Sequence, residues 1–184
     1  RKSEYAHSHG IVYTPPYVVH AIVRETLGRY LEDKEPEDIS NLRVVDPACG
    51  SGSFLIAAFD VLWDFYHRHN LKRIEEDGAK ELALSPSSGQ AHLLDVIDEP
   101  QVRAAKERRR PIPDYSRLIL ERHLYGVDKD PEAVEIAAVN LLLRAFEKMH
   151  EEVSKPSVPR LPLLLNRNIK QGDSLRGAPA DQEL

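Results

Sequence analysis

Three carboxylates and one glycine-bearing loop are the residues whose types and spacing could do chemistry in this sequence. The loop reads Asp46-Pro47-Ala48-Cys49-Gly50-Ser51-Gly52-Ser53-Phe54. Glycines carry no Cβ, so the backbone can approach a ligand closely, and the free amides of a following helix would point toward the same space. The pattern predicts a ligand-binding loop; the competing interpretation is a tight strand-to-helix turn without a ligand.

Two further carboxylates, Asp128 and Asp173, each follow a predicted strand, as Asp46 does. Doubly wound nucleotide-binding folds place an acidic acceptor for the ribose hydroxyls at the position of Asp128. Asp130 fits the alternative role of helix cap better, which leaves Asp128 free. Asp173 could accept a hydrogen bond from an adenine amine, or it could be a turn residue. Together the three carboxylates are expected to face one ligand.

The elements that must position these residues are parallel strands alternating with helices. Strands are predicted over 42–45, 124–127 and 168–171, each followed by turn residues. A first helix is predicted from Thr14, with Thr14 as cap and Pro15 at the first helical position. A second helix is predicted from 53 to about 66, and a third after Asp130 and Pro131. The chain is therefore expected to have an α/β fold.

The bulk composition excludes several classes of protein. The 184 residues suit one domain, and a net charge of −5 does not support broad binding of nucleic acid by this chain alone. Cys49 is the single cysteine, so no internal disulfide forms, which fits a cytoplasmic location. No apolar run reaches the roughly 18 residues of a membrane span. The first residue is not methionine, and we expect the chain to be cut from a longer protein.

Four segments of the sequence resemble successive motifs of adenine-N6 DNA methyltransferases of the gamma group. The resemblance is strongest to the large methylases of type I and type IIG restriction-modification and phage-exclusion systems, and it leaves out the segment 71–114. The four segments are Tyr13-Thr14-Pro15-Pro16-Tyr17-Val18-Val19, Asp46 to Leu55, Tyr125-Gly126-Val127-Asp128-Lys129-Asp130-Pro131 and Gly172-Asp173-Ser174-Leu175.

The resemblance implies a Rossmann-like, S-adenosylmethionine-dependent methyltransferase fold that is incomplete, with the first parallel strands and their flanking helices. Residues 1–184 would then form one partial methyltransferase domain. Within it, 1–40 would be the N-terminal helix region and 41–70 the first strand, cofactor loop and helix. The segment 71–117 would be a charged insertion, and 118–184 would hold the second and third strands with their helix.

The resemblance also implies roles for residues in binding S-adenosylmethionine. The backbone around Thr14 and Pro15 would hold the amino-acid end of the cofactor, and the loop would lie along its methionine and sugar. Asp128 would bind the ribose and Asp173 the adenine amine. The predicted cofactor-binding residues are Tyr13, Thr14, Pro15, Asp46, Pro47, Ala48, Cys49, Gly50, Ser51, Gly52, Phe54, Asp128, Lys129, Asp173 and Ser174.

The tetrapeptide with which the family transfers the methyl group, Asn or Asp followed by Pro-Pro and an aromatic residue, does not follow Asp173. The segment Thr14-Pro15-Pro16-Tyr17 resembles it but has a hydroxyl in place of the amide or carboxylate, so no catalytic residue is assigned. We expect the chain to bind cofactor without methylating by itself. The first strand would also be left as an exposed sheet edge, which predicts self-association.

The implied substrate is double-stranded DNA, bound mainly through regions outside the chain. The implied partners are a specificity domain or subunit and a restriction nuclease. A methyltransferase acting on RNA, protein or a small molecule, or a non-catalytic cofactor-binding module, remains an alternative. A nicotinamide or flavin enzyme fits poorly for two reasons. The third glycine of its fingerprint would fall at Leu55. Its acidic residue is expected ~20 positions after the loop, whereas Asp128 lies much further along the chain.

Other reactive residues receive structural interpretations. Cys49 is read as a packing residue of the loop, not a nucleophile. The basic run Lys106 to Arg110 is read as a solvated helix face in preference to a DNA contact. His7, His9, His67 and His69 form close pairs without a third ligand, so no metal site is predicted.

Overall fold

A computed structural model of the chain describes residues 14–83, 110–152 and 161–176, and of residues 77–83 the backbone alone. The described part is an α/β structure in which helices flank a parallel sheet with the order β1-β2-β3. The strands are β1 (Val44–Asp46), β2 (Leu124–Asp128) and β3 (Ile169–Gln171). The helices are α1 (Pro16–Val23), α2 (Arg29–Leu31), α3 (Ser53–Ala83), α4 (Tyr115–Arg122) and α5 (Pro131–Met149), with a π-helical segment (Arg24–Gly28) between α1 and α2.

The predicted fold class and the three predicted strands are confirmed, with ends shifted by one or two residues. The start of α5 is also as predicted. The Asp130 side chain accepts from the amide of Glu132 at 2.9 Å, and Pro131 occupies the first helical position. Proline suits that position because its missing N–H would have had no partner there. The cap fixes α5 directly after the carboxyl end of β2.

The start of the first helix differs from the prediction. Thr14 does not cap it: Pro15 is the capping residue, makes no side-chain hydrogen bond, and Pro16 opens the helix. A residue before proline is held out of the helical region by a clash with the proline ring. Pro15 precedes Pro16 and accordingly has an extended ψ of 141°, which moves the first helical residue from Pro15 to Pro16.

Helix α3 is much longer than the predicted 53 to about 66, since it continues to Ala83. Its first half is buried, with Leu55, Phe59 and Leu62 inaccessible to solvent. The stretch after residue 70 loses that apolar pattern but contains mostly Leu, Lys, Arg, Glu and Ala, which are strong helix formers. The helix therefore continues into the segment that was predicted to be an insertion; residues 84–109 of that segment lie outside the described residues.

The segment that precedes α4 is held against α3 by hydrogen bonds to Arg110 and Ile112. The buried side chain of Asn70 exchanges two hydrogen bonds with the backbone of Ile112, each 2.8 Å long. Arg73 donates to the carbonyl of Arg110 at 3.1 Å. The side-chain amide of Asn70 thus pairs with both the N–H and the C=O of Ile112, as a neighbouring strand would, so that none of these polar groups is left without a partner. These contacts fix the start of α4 relative to α3.

A buried histidine joins the starts of β1 and β2. The ring of His123 lies 2.8 Å from the Tyr66 hydroxyl through Nε2 and 2.7 Å from the Leu42 carbonyl through Nδ1. A carbonyl can only accept, so Nδ1 carries the proton and Nε2 accepts from Tyr66. Burial lowers the pKa of His123, which keeps this neutral arrangement. The core around it is formed by residues such as Leu55, Phe59, Leu62, Tyr115, Ile119, Leu120, Leu124, Leu141 and Ile169.

Strand β1 lies at one edge of the sheet in the described part of the chain, where it pairs with β2 alone. Val45 at its centre is 59% exposed. An exposed edge is a site at which another strand can pair; self-association through it stays a prediction.

In the three described ranges no helix is both long and apolar enough to cross a membrane.

Candidate functional site

Three carboxylates gather at the edge of the sheet where the parallel strands end. Asp46 is the last residue of β1, Asp128 is the last of β2, and Asp173 follows β3 by two residues. Asp46 stands beside Gly126 in the strand register, and Asp128 beside Gln171. Ligands of open α/β folds bind beyond the carboxyl ends of the strands. The sequence prediction that the three carboxylates share one region therefore agrees with this topology.

The glycine loop between β1 and α3 has two residues in the left-handed region. Gly50 has a φ of 52° and Gly52 a φ of 88°, and side chains with a Cβ rarely adopt either value. A Cβ on Gly52 would lie 3.2 Å from the Cβ of Ala137 in α5, whereas no atom lies within 4 Å of the corresponding point on Gly50. The loop is thus packed against α5 at Gly52 and faces open space at Gly50.

Asp128 is engaged with the loop, contrary to the expectation that it is free. One carboxylate oxygen accepts from the amide of Gly50 at 2.7 Å, and the other accepts from the amide of Asp130 at 2.9 Å. The sequence could not show this contact because 78 residues separate Gly50 from Asp128. Each carboxylate oxygen has two lone pairs, so Asp128 can hold the loop and still accept from a ligand.

Four backbone amides of the loop are satisfied within the protein. The amide of Ala48 donates to Asp46, that of Cys49 to the Val127 carbonyl, that of Gly50 to Asp128, and that of Gly52 to the Cys49 carbonyl. Loops that bind phosphate do so with free amides that point at the anion. These four amides are therefore occupied, and they do not form an anion-binding cradle.

Asp46 lies in an electronegative environment. Burial raises the pKa of its carboxyl, the hydrogen bond from the Ala48 amide lowers it, and the nearby charge of Asp128 raises it. Two carboxylates that repel each other favour a cationic ligand, because a positive charge between them relieves the repulsion. The site is thus suited to a ligand with positive groups and hydroxyls.

Cys49 is 5% exposed, as expected for a packing residue. Burial, and after it the charges of Asp46 and Asp128, raises the pKa of its thiol from 9.0 to about 12. Nucleophilic cysteines need a lowered pKa, because the thiolate is the reactive form. Both the burial and the raised pKa argue against nucleophilic catalysis by Cys49.

The raised thiol pKa makes the stability of the fold depend on alkaline pH. The unfolded chain loses the Cys49 proton near pH 9.0, while the folded chain keeps it to about 12. The stabilisation is therefore complete below pH 9.0 and is lost as the pH rises from 9.0 to about 12. Denaturant unfolding in this range should show a steeper loss of stability for the wild type than for Cys49→Ala. Burial also raises the pKa of Tyr66, but that contribution is common to both proteins; equal slopes would contradict the prediction.

An apolar groove of about 300 Å³ adjoins the loop on the side of α1. Three of the predicted cofactor-binding residues line this groove: Asp46, Pro47 and Phe54. The remaining lining residues could not be assigned to the site from the sequence, because their positions in predicted helices and strands do not indicate a groove. They are Ile22, Val23, Thr26, Leu27, Val44, Val45, Leu55 and Ala58.

Of the other predicted residues, Asp173, Lys129, Ser174 and Thr14 do not line this groove. Asp173 accepts from the amide of Leu175 at 3.1 Å, which is the turn geometry that was the alternative interpretation. Lys129 and Ser174 are exposed, and Thr14 is partly buried just before α1. Tyr13 lies outside the described residues.

One contact to the loop was missed altogether. The side-chain amide of Asn140 in α5 donates to the carbonyl of Ser51 at 3.1 Å. Asparagine is not favoured in the interior of a helix, and its presence there was the only sign in the sequence that position 140 has a special role. The partner, 89 residues away, could not be inferred from the sequence.

Comparison with known proteins places the chain in a family. Residues 29–180 match the family model described as MmeI, DNA-methyltransferase domain. RM.Eco57I of Escherichia coli, a type II restriction enzyme and methyltransferase, is 32% identical over 169 residues, which are 90% of this chain and 14% of that protein. RM.MjaORFECS2P of Methanocaldococcus jannaschii, proposed to be an enzyme of the same kind, is 30% identical over 175 residues, 91% of this chain and 14% of that protein.

The chain thus spans about one seventh of the length of these two relatives. The family match covers the glycine loop and all three carboxylates, as well as the sheet that brings them together. The sequence, the fold and the comparison agree, and the chain belongs to the family of MmeI DNA-methyltransferase domains.

Proposed function

We propose that this chain is the S-adenosylmethionine-binding portion of a site-specific DNA methyltransferase that modifies the N6 amine of adenine in a restriction-modification or phage-defence system. The observation that carries the proposal is that Asp46, Asp128 and Asp173 lie at or just after the carboxyl ends of three adjacent parallel strands, and that Asp128 also accepts from the amide of Gly50 in the glycine loop. Membership in a DNA-methyltransferase family supports the reaction class.

The chemistry of the site suits this cofactor. S-adenosylmethionine supplies a positively charged sulfonium that carries the transferable methyl group, and it also has an ammonium group and two ribose hydroxyls. The three carboxylates offer negative charge and acceptors to these groups. Asp128, which has acceptor capacity left after holding Gly50 and Asp130, would bind the ribose hydroxyls. Asp173 would accept from the adenine amine.

The open space beside Gly50 gives such a ligand room to approach the backbone. The backbone at Thr14 and Pro15, just before α1, would receive the amino-acid end of the cofactor. Phe54 and Pro47 line the apolar groove next to the loop, which would exclude water from one side of the ligand. These assignments agree with the roles implied by the family resemblance.

A dinucleotide cofactor fits less well. Its pyrophosphate carries negative charge and would need free amides at the loop. Here the amides of Ala48, Cys49, Gly50 and Gly52 are engaged within the protein, and the neighbouring carboxylates would repel the anion. The same site thus favours a cationic sulfonium ligand over nicotinamide or flavin dinucleotides.

Adenine as the target base is supported by the motif resemblance alone, whereas DNA as the substrate is supported also by the description of the family as a DNA-methyltransferase domain. Most DNA contacts would come from regions outside this chain, which has a net charge of −5. A specificity domain or subunit, an attached nuclease and a cytoplasmic location belong to the same proposal. Methyltransferases of RNA, protein or small molecules, and a non-catalytic binding module, are the alternatives.

The proposal is tested by analysis of methylated nucleosides. The purified chain, incubated with S-adenosylmethionine labelled in the methyl group and with duplex DNA, is expected to transfer no label, because the chain lacks the catalytic tetrapeptide. A longer protein that adds the downstream region should produce labelled N6-methyl-2′-deoxyadenosine after digestion of the DNA. Transfer by the chain alone would contradict the expectation that the catalytic residues lie outside it. Label on cytosine, or label on RNA and not on DNA in a parallel incubation, would contradict the adenine proposal.

A further inference from the structure

One side of α5 follows the glycine loop and the start of α3. Ala137 fills the space next to Gly52, Asn140 donates to the Ser51 carbonyl at 3.1 Å, and Arg144 donates to Asp60 of α3 at 2.7 Å. Residues three and four positions apart lie on the same face of a helix. The loop is therefore bounded along this side by a single face of α5.

The loop is held on both sides of the peptide that joins Gly50 to Ser51. On one side the Gly50 amide donates to Asp128 at 2.7 Å, and on the other the Ser51 carbonyl accepts from Asn140. Two such anchors fix the orientation of the peptide between them. That peptide borders open space, since Ser51 is exposed and no atom lies within 4 Å of a Cβ built on Gly50.

We infer that Asn140 is a positioning residue for the cofactor loop: its amide sets the direction of the Ser51 carbonyl and so the shape of the surface on which the cofactor lies. The inference rests on the proposed function for the identity of the ligand, while the effect on the loop stands without it. A carbonyl oxygen can only accept, so the role requires a donor at position 140. Asparagine supplies one; aspartate, of nearly the same shape, supplies none when ionised.

The decisive variant is Asn140→Asp, which keeps the volume of the side chain and removes the donor. Cys49 lies in the same loop, is buried, and is the single cysteine of the chain, so its rate of reaction with a thiol reagent reports how often the loop opens. The loss of one hydrogen bond of about 1 kcal/mol is expected to raise that rate about fivefold. The dissociation constant for S-adenosylmethionine should rise by a similar factor.

Arg144→Ala is the matched control, because it breaks the contact between α5 and α3 one turn further along and leaves the Ser51 carbonyl untouched. It is expected to lower the melting temperature without changing the Cys49 rate by more than about twofold. Asn140→Ala removes the donor without adding a charge and should behave like Asn140→Asp. Melting curves for each variant show whether labelling arises from global unfolding.

Wild-type labelling rates in both Asn140 variants, or an equal increase in Arg144→Ala, would overturn the inference. Because the thiol measurement involves no cofactor, it separates this result from the fate of the proposed function. Faster labelling in a chain that does not bind S-adenosylmethionine would support the positioning role and refute the proposed ligand. Labelling at the wild-type rate in Asn140 variants of a chain that does bind S-adenosylmethionine would refute the positioning role and support the proposed ligand.

Discussion

Replacing Gly52 by alanine is expected to lower the free energy of unfolding by about 2–4 kcal/mol. Two costs combine at this position. The φ of 88° disfavours any residue with a Cβ, and the new Cβ would meet the Cβ and Cα of Ala137 at 3.2 and 3.3 Å. Ala137 is itself fully buried in α5, so the helix backbone would have to shift. Denaturant unfolding of the purified variant measures the effect.

Gly50→Ala is the natural comparison, because it imposes the same kind of backbone strain without the clash. Its φ is 52°, and nothing lies within 4 Å of the added Cβ. The expected cost is about 1–2 kcal/mol, from the left-handed conformation alone. Equal destabilisation by both substitutions would show that packing against α5 contributes nothing, contrary to the structure.

Asp128→Ala is expected to weaken the binding of S-adenosylmethionine about 10- to 100-fold, the effect of losing charge-assisted hydrogen bonds worth roughly 1.5–3 kcal/mol. The substitution removes the proposed ribose acceptor and, at the same time, the acceptor of the Gly50 amide. Both losses are expected to weaken cofactor binding. Isothermal titration of the variant against the wild type gives the ratio of dissociation constants.

Asp130→Ala provides the control for Asp128. Its carboxylate caps α5 by accepting from Glu132 at 2.9 Å and does not contact the loop. Loss of the cap should cost about 1 kcal/mol of stability and leave the cofactor affinity unchanged. A loss of affinity in Asp130→Ala as large as in Asp128→Ala would mean that the effect arises from the end of α5 and not from the ribose acceptor.

The general position of the candidate site could be predicted from the sequence. Parallel strands end at one edge of a sheet, so residues that follow successive strands converge there without any knowledge of contacts. This held for Asp46, Asp128 and Asp173. The start of α5, with Asp130 as cap and Pro131 as the first helical residue, follows equally local rules.

Contacts across the fold could not be predicted. The hydrogen bonds from the Gly50 amide to Asp128 and from Asn140 to the Ser51 carbonyl join residues 78 and 89 positions apart, and they depend on how the helices cross the sheet. The length of α3 was missed for a different reason: the prediction followed apolar spacing, which ends where the helix leaves the core, whereas helix propensity continues to Ala83. At Thr14, the restriction imposed by two consecutive prolines overrode a good capping residue.

The most direct test of the cofactor assignment is a calorimetric titration of the wild-type chain with S-adenosylmethionine, with NAD titrated in parallel. We expect saturable binding of S-adenosylmethionine at one site per chain and no heat of binding with NAD, because four of the loop amides are occupied and the carboxylates of Asp46 and Asp128 would repel the pyrophosphate. Binding of NAD with equal or greater affinity, or a folded chain that does not bind S-adenosylmethionine, would contradict the proposal.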